Sequence, residues 1–336
     1  MPITDEPLVS VVTPVYNEER HIRECIESVQ AQTYRNWDHT IVDNASTDRT
    51  AEIAREYAAG DSRIRVRSNT STVPVIQNYN IAFRAASPQS RYCKPVAADD
   101  VLLPECLEKM VALAERHPGV AMVGSYGIYS RAELGTYGRG IPYTQEIFPG
   151  PELCRRYLLG EGPVTFGAAT MLLFRADLVR GRHAFYNEEQ LHADSEACLD
   201  VLEQGDFGFV HQVLTIIRIE DGTLSSRSAR LNTSLPFRLY LLGRYGPKYF
   251  SPDELATRAR ERLREYYRYL GWQVFRAREP EFWEFHRDQL AAAGYPLSRM
   301  RLALYATEYV LDQLLNPKRT AERFIARLRD RSPGRG

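Results

Sequence analysis

The sequence predicts an α/β protein: a doubly wound, largely parallel sheet followed by a C-terminal helical region. Three features carry that reading. β-branched runs alternate with amphipathic helical stripes through the first two thirds of the chain, the pattern of a parallel sheet covered by helices. Those runs end on turn-forming and acidic residues, at the strand ends where open α/β sheets bind ligands. From about Asn232 the strand signal stops and helical spacing continues alone.

Leu8 to Val15 (LVSVVTPV) fits a strand buried on both faces. His21 to Gln30 then sets Ile22, Cys25, Ile26 and Val29 on one stripe, with Asn17 placed to cap that helix. A strand is expected over His39 to Val42, closed by Asp43 and Asn44, then a helix over Thr50 to Ala58, a strand over Ile64 to Arg67 and a helix over Val75 to Ala86. Tyr92 to Ala97 should be the next strand, ending on Asp99 and Asp100. Pro104 should open a helix whose Leu107, Met110, Val111 and Ala114 face inward. After a strand at Ala121 to Tyr129, the Gly- and Tyr-rich stretch Gly135 to Gly150 reads as a mobile loop. Strands at Thr170 to Phe174 and near Phe209 to Ile219 flank a helix near Ser195 to Gln204.

Beyond Asn232, Leu255, Ala259 and Leu263, then Val310, Leu311, Leu314 and Leu315, keep helical spacing. The tail carries Lys318, Arg319, Arg323, Arg327, Arg329, Arg331 and Arg335 against Glu322 and Asp330. That suits either a solvated helical face or contact with an anionic membrane surface.

The 336 residues are 44% hydrophobic and 26% charged, and 43 Lys and Arg offset 43 Asp and Glu. This composition excludes a disordered or collagen-like chain, and the lack of a basic excess argues against a nucleic-acid partner. Five widely spaced cysteines without a C-x-x-C pair read as reduced thiols of a cytoplasmic protein. The N-terminus has no basic region leading into an apolar stretch, and no apolar run approaches the ~18 residues that span a bilayer. The expectation is a protein neither exported nor membrane-spanning. Dinucleotide-binding, P-loop, zinc-protease and nucleophile-elbow motifs are all missing, which weighs against those enzyme classes.

TPVYNE (13–18), VDNASTD (42–48), QNYNIAF (77–83) and AADD (97–100) occur in the order and spacing of family 2 glycosyltransferases, which this sequence resembles. GEGPVTFGAATMLLFR (160–175), HADSEACLDVLEQGDFGFV (192–210) and IRIEDGTLS (217–225) resemble the acceptor-side half of bacterial members that build surface polysaccharides. The resemblance implies a GT-A nucleotide-diphospho-sugar fold with a mostly parallel central sheet over residues 1–231. Its nucleotide-sugar half would cover about 7–125 and its acceptor half about 126–231, with 232–336 as the C-terminal helical region. It further implies inverting transfer of a sugar from a nucleoside-diphosphate donor, UDP-sugar favoured, to a hydroxyl of a saccharide or lipid-linked saccharide. The expected location is cytoplasmic or peripheral on the inner membrane face. The C-terminal helices would cover the acceptor side, form a homodimer contact or dock on the membrane.

Negative charge builds on the diphosphate as the glycosidic bond breaks, and a divalent cation stabilises it. Mn²⁺ or Mg²⁺, held by one or two carboxylates and phosphate oxygens, suits a pair of acids at a strand end. By resemblance Asp100 is the metal ligand and Asp99 lies beside it, toward the ribose or the metal; the alternative is that both simply end a strand. Thr13, Pro14, Tyr16, Glu18 and Asn78 fall to nucleotide recognition, with Tyr16 offering a ring face to the base. Asp43 would accept a proton from a uracil ring nitrogen. Asn44 and Ala45 replace a commoner Asp-Gly.

Asp194 is the candidate general base for the acceptor hydroxyl, unless it or Ser195 caps a helix. Glu196 would orient that base, meet the acceptor, or occupy the helix's first turn. Glu220 stands where the family more often has His, and as a carboxylate it could ligate a hard cation. That departure supports a second reading, a nucleotide-sugar-binding protein without transfer activity. A nucleotidyltransferase would need a basic Gly-rich loop that TPVYNEERH lacks. Tyr126, Tyr129, Tyr137 and Tyr143 either pack or stack on sugars.

Overall fold

The computed structural model describes residues 6–130, 134–138, 140–161, 168–219, 228, 230–276 and 278–315. The chain divides into two compact units, residues 1–224 and 225–336.

The first unit runs β1 (Val9–Val15), α1 (Ile22–Gln30), β2 (Trp37–Asp43), α2 (Thr50–Gly60), β3 (Ile64–Ser68), α3 (Val75–Arg84), β4 (Tyr92–Pro95), β5 (Val101–Leu102) and α4 (Cys106–Arg116). It continues with β6 (Val120–Ser130), β7 (Leu134–Tyr137), β8 (Ile147–Phe148), α5 (Gly150–Leu159), β9 (Leu172–Arg175), α6 (Ala176–Arg180), α7 (Ala193–Leu202) and β10 (Asp206–Arg218). The sheet order is β3-β2-β1-β4-β9-β6-β10-β5, with β7 on β6 and β8 on β10. β3, β2, β1 and β4 are parallel, as are β6 and β10. β9 runs antiparallel between β4 and β6 and joins the two parallel sets.

β1, β2 and β4 are buried along their whole length, as strands covered by helices on both faces must be. Ile22, Cys25, Ile26 and Val29 of α1 and Leu107, Met110, Val111 and Ala114 of α4 are all buried in one core with the strands. The α/β alternation therefore reads correctly from the sequence, and its amphipathic stripes face where their spacing predicts.

Some local expectations are corrected. Asn17 does not cap α1: His21 holds the cap position and makes no side-chain cap bond, while Asn17 adopts a left-handed conformation with φ 54°. Its side chain accepts instead from Thr47 N at 2.8 Å. The stretch from Gly135 to Gly150 is not one loop, because it contains β7 and β8, paired antiparallel with β6 and β10. Strands of four and two residues carry too little alternation to show in sequence. α4 begins at Cys106, so Pro104 lies in the turn before it, where its carbonyl accepts from Thr33 N. Thr170 falls in a single 3₁₀ turn, Ala169–Met171, ahead of β9.

The second unit is helical: α8 (Ser234–Tyr249), α9 (Pro252–Gln273), α10 (Pro280–Ala292) and α11 (Arg299–Leu315). α9 starts with Ser251 accepting from Glu254 N at 3.3 Å and Pro252 at the first turn, both standard helix-start chemistry. Tyr266, Tyr267 and Leu270 of α9 form its core with Phe282 and Leu290 of α10. No described helix is long and apolar enough to cross a membrane. The basic tail from Lys318 lies outside the described residues.

Candidate active site

The C-terminal ends of β1 and β2 lie side by side, with Val15 opposite Asp43. The loops after these strands are stapled to each other. Glu18 N donates to Thr50 Oγ1 at 2.7 Å, Glu19 N to Asp48 Oδ2 at 3.1 Å, and Arg49 N back to Glu19 Oε2 at 3.1 Å. These bonds leave Tyr16 44% exposed beside the buried Pro14 and Asp43, a ring face at the rim of the strand ends. Asp43 accepts from Ser46 N at 3.2 Å and is 3% exposed. Thr13 is turned inward, its hydroxyl 2.9 Å from His39 Nε2. Burial holds that imidazole neutral, with its pKa lowered to about 3.

Asn78 is also buried, donating to Val42 O at 3.2 Å and accepting from Asn69. Asn44 clamps Val73 through both its amide atoms, donating to Val73 O at 2.8 Å and accepting from Val73 N at 2.9 Å. The asparagine that departs from the family pattern thus closes the floor beside Asp43.

Asp99 and Asp100 follow β4 at the same edge. Asp100 is 4% exposed; its Oδ2 accepts from Thr170 Oγ1 at 2.5 Å and its Oδ1 from Arg218 N at 3.0 Å. The register explains the second bond, since β5 pairs Val101 with Ile216 and so brings the end of β10 alongside the two acids. Burial first, and the neighbouring charge of Asp99 second, push Asp100 up to about 7. Arg218 directs one guanidinium nitrogen to the main-chain oxygen of Asp99 at 2.8 Å and another to Glu24, so it does not neutralise the Asp100 carboxylate by direct contact.

This donor set fits a hard divalent cation. Each carboxylate oxygen of Asp100 makes one hydrogen bond and keeps a further lone pair, and a second acid, Asp99, adjoins it. Among the described residues no group of three or more His, Cys, Asp or Glu could hold a metal ion. Glu220 lies outside the described residues.

Asn80 of α3 grips the segment that leads to α7. It donates to Tyr186 O at 2.8 Å and accepts from Tyr186 N at 2.8 Å. Asp194 sits half-buried in the first turn of α7, accepting from Ser195 N at 2.7 Å. Neither Asp194 nor Ser195 holds the helix's cap position, which His192 occupies. Burial raises the Asp194 carboxyl to about 6. Glu196 turns into the protein, 1% exposed, and accepts from Asn187 Nδ2 at 3.1 Å, so it braces the chain that presents Asp194.

Burial raises the phenol of Tyr79 above the usual range, and the charges of Asp100, Asp99 and Asp194 add to that. Its ring packs 5.5 Å from that of Tyr186, whose buried hydroxyl has no hydrogen-bond partner among the described residues.

Sequence reasoning did not single out Tyr79, Asn80, Thr170 or Arg218, although each lies inside one of the family motifs. It also missed Lys94, fully buried in β4, which donates to Thr170 O at 2.5 Å and so fixes the turn that orients Asp100. A lysine inside an apolar strand was the available signal. Tyr126 packs edge-on to Phe209 at 4.9 Å and its hydroxyl reaches His211. Tyr143 is 82% exposed. The side chain of Tyr137 lies outside the described residues.

A sheet of this topology with acids at its strand ends is the GT-A fold of glycosyltransferases, and the structural neighbours share it. The chain belongs to glycosyl transferase family 2, whose family model matches residues 10–180. EpsE of Bacillus subtilis, itself classed among glycosyltransferases, is 30% identical over 226 residues, 66% of this chain and 77% of that protein. The Escherichia coli UDP-Glc:α-D-GlcNAc-diphosphoundecaprenol β-1,3-glucosyltransferase WfgD is 32% identical over 39% of this chain and 50% of its own length. Among solved structures, S. aureus TarS residues 1–349 with UDP-GlcNAc superposes with a TM-score of 0.61 at 16% identity, covering 85% of this chain and 80% of that one. The mannosyltransferase PcManGT of Pyrobaculum calidifontis, with GDP-Man and Mn²⁺, gives 0.53 at 18% identity over 94% and 83%.

Proposed function

We propose that this glycosyltransferase is a metal-dependent inverting enzyme that moves a sugar from a nucleoside-diphosphate donor, UDP-linked by preference, to a hydroxyl of a saccharide or lipid-linked saccharide in surface polysaccharide assembly. The observation that carries the reading is the acid pair at the end of β4, with Asp100 buried and oriented by Thr170 and the main chain of Arg218. Two acids with cation-binding chemistry and a third with a raised pKa are what a displacement at a sugar carbon requires on its two sides.

Tyr16, Pro14 and Asp43 would receive the nucleoside, with Thr13, Glu18 and Asn78 shaping the loops and floor around it. Asp99 and Asp100 would hold Mn²⁺ or Mg²⁺, which when bound supplies positive charge to the departing diphosphate. Asp194 takes the proton from the acceptor hydroxyl as its oxygen attacks the anomeric carbon and the bond to the diphosphate breaks, with no covalent enzyme intermediate. A carboxylate with a pKa near 6 is a better base at neutral pH than an ordinary Asp and is still ionised there. Transfer should therefore climb with pH through about 6.

The support from relatives is that TarS is seen with UDP-GlcNAc, PcManGT with GDP-Man and Mn²⁺, and WfgD is named for a UDP-Glc donor and a lipid-diphosphate acceptor.

Thermal unfolding with UDP or GDP, each with and without Mn²⁺, tests the donor side. At about a hundredfold excess over Kd, binding adds about 2.7 kcal/mol and raises Tm by several degrees. The UDP shift should need Mn²⁺ and vanish in Asp100→Ala. Asp194→Asn should keep that shift and lose about 10²–10⁴ in kcat. Undiminished transfer by Asp194→Asn would remove it as the base, and a nucleotide shift without turnover of any acceptor would favour a nucleotide-sugar-binding protein.

A further inference from the structure

α11 has two apolar faces, and the helical unit accounts for one. Leu302 and Tyr305 pack against the core of this unit, Tyr305 stacks on Tyr267, and Tyr309 stacks on Phe275. At 100° per residue, Met300, Leu304, Leu311, Leu314 and Leu315 fall on the other side of the helix, together with Ala303 and Thr307. The five large side chains are each between 49% and 81% exposed. No charged residue interrupts that stripe, which runs about 22 Å along the helix, because Arg301, Glu308 and Asp312 project to one flank.

Helical surface of this kind marks an interaction site. The adjoining C-terminal sequence names the partner's chemistry. Residues 316–336 carry seven Lys and Arg against Glu322 and Asp330. An apolar stripe continued by a dense cationic segment matches an anionic lipid surface, which takes the apolar face into its acyl boundary and the cations at its headgroups.

We propose that α11 forms a peripheral docking surface for anionic phospholipid bilayers, with the lysines and arginines that follow it in sequence supplying charge attraction. This does not rest on the donor and acceptor assignments, and its test involves no sugar transfer.

Flotation of the full chain with vesicles of phosphatidylcholine alone, or mixed with phosphatidylglycerol, measures it. The protein should float with the phosphatidylglycerol vesicles, remain largely unbound with phosphatidylcholine, and release as salt is raised. Leu304→Ser/Leu311→Ser, which changes no charge, should lower the vesicle-bound fraction about tenfold or more at unchanged Tm. Failure of the wild-type chain to float, or equal flotation of the double variant, overturns the proposal, the latter by assigning binding to the basic segment alone. A doubled mass in light scattering that the double variant abolishes, without vesicle binding, also overturns it and assigns the stripe to a second copy.

Discussion

Ala45 shows how a single residue can bear the cost of a turn. Its φ of 57° puts a Cβ where L-residues other than Gly, Asn and Asp are disfavoured by about 1–2 kcal/mol. It follows Asn44, whose amide is committed to Val73, so the turn out of β2 cannot relax without releasing that clamp. Ala45→Gly should stabilise the protein by roughly 0.5–1 kcal/mol, the strain relieved less the extra entropy glycine loses on folding, read as a rise in the urea midpoint at constant slope. The site's other signals were unequal at this scale. Asp99, Asp100 and Asp194 stand out in sequence because each lies in a motif that resembles the family, AADD (97–100) or HADSE (192–196). Thr170 and Arg218 do not, because a threonine and an arginine are unremarkable until the pairing of β5 with β10 brings Arg218, and the turn held by Lys94 brings Thr170, to Asp100.

At the scale of elements, close approach decides what the hydrophobic pattern leaves open. α9 and α11 meet at Gly271, where an added Cβ would lie 2.7 Å from Tyr305 C and 2.8 Å from Ala306 N, both backbone atoms that cannot rotate away. Gly271→Ala should push the helices apart and cost about 1–3 kcal/mol despite the better helix propensity of alanine, seen as a lower Tm. An exposed helical glycine such as Gly243, where an added Cβ would meet nothing within 4 Å, offers the control, since Gly243→Ala should be neutral or stabilising. The strands of the first unit were legible wherever a β-branched run was long and buried. β7 and β8 were not, because their pairing comes from β6 and β10 rather than from any periodicity of their own.

Over the whole molecule, buried titratable groups pull stability in opposite directions as pH falls. His39 has a pKa lowered to about 3, so between pH 6.5 and 3 the unfolded chain binds more protons and stability is lost on acidification. Asp194, raised to about 6, does the reverse: the folded chain holds the proton first, and stability is gained as pH falls from about 6 toward the ordinary Asp value. The net slope is a difference of these effects, so the informative measurement compares variants. His39→Gln should lose less stability than wild type below pH 6.5, by up to about 1.4 kcal/mol per pH unit, followed by urea midpoints across that window.

The amino-acid sequence by itself determined the alternation of strands and helices, the change to an all-helical C-terminal part, and the acids around which a donor site could be built. Periodicity and turn chemistry are local, and a motif survives as a string of neighbours. The tertiary structure alone decided which of those residues meet. It turned Thr13 toward His39 and away from the strand ends, set Asn80 to hold the segment that presents Asp194, and placed Lys94, Thr170 and Arg218 around Asp100. Those contacts join residues up to 118 positions apart, and the sheet order that creates them follows from packing buried surface, which no short stretch of sequence encodes.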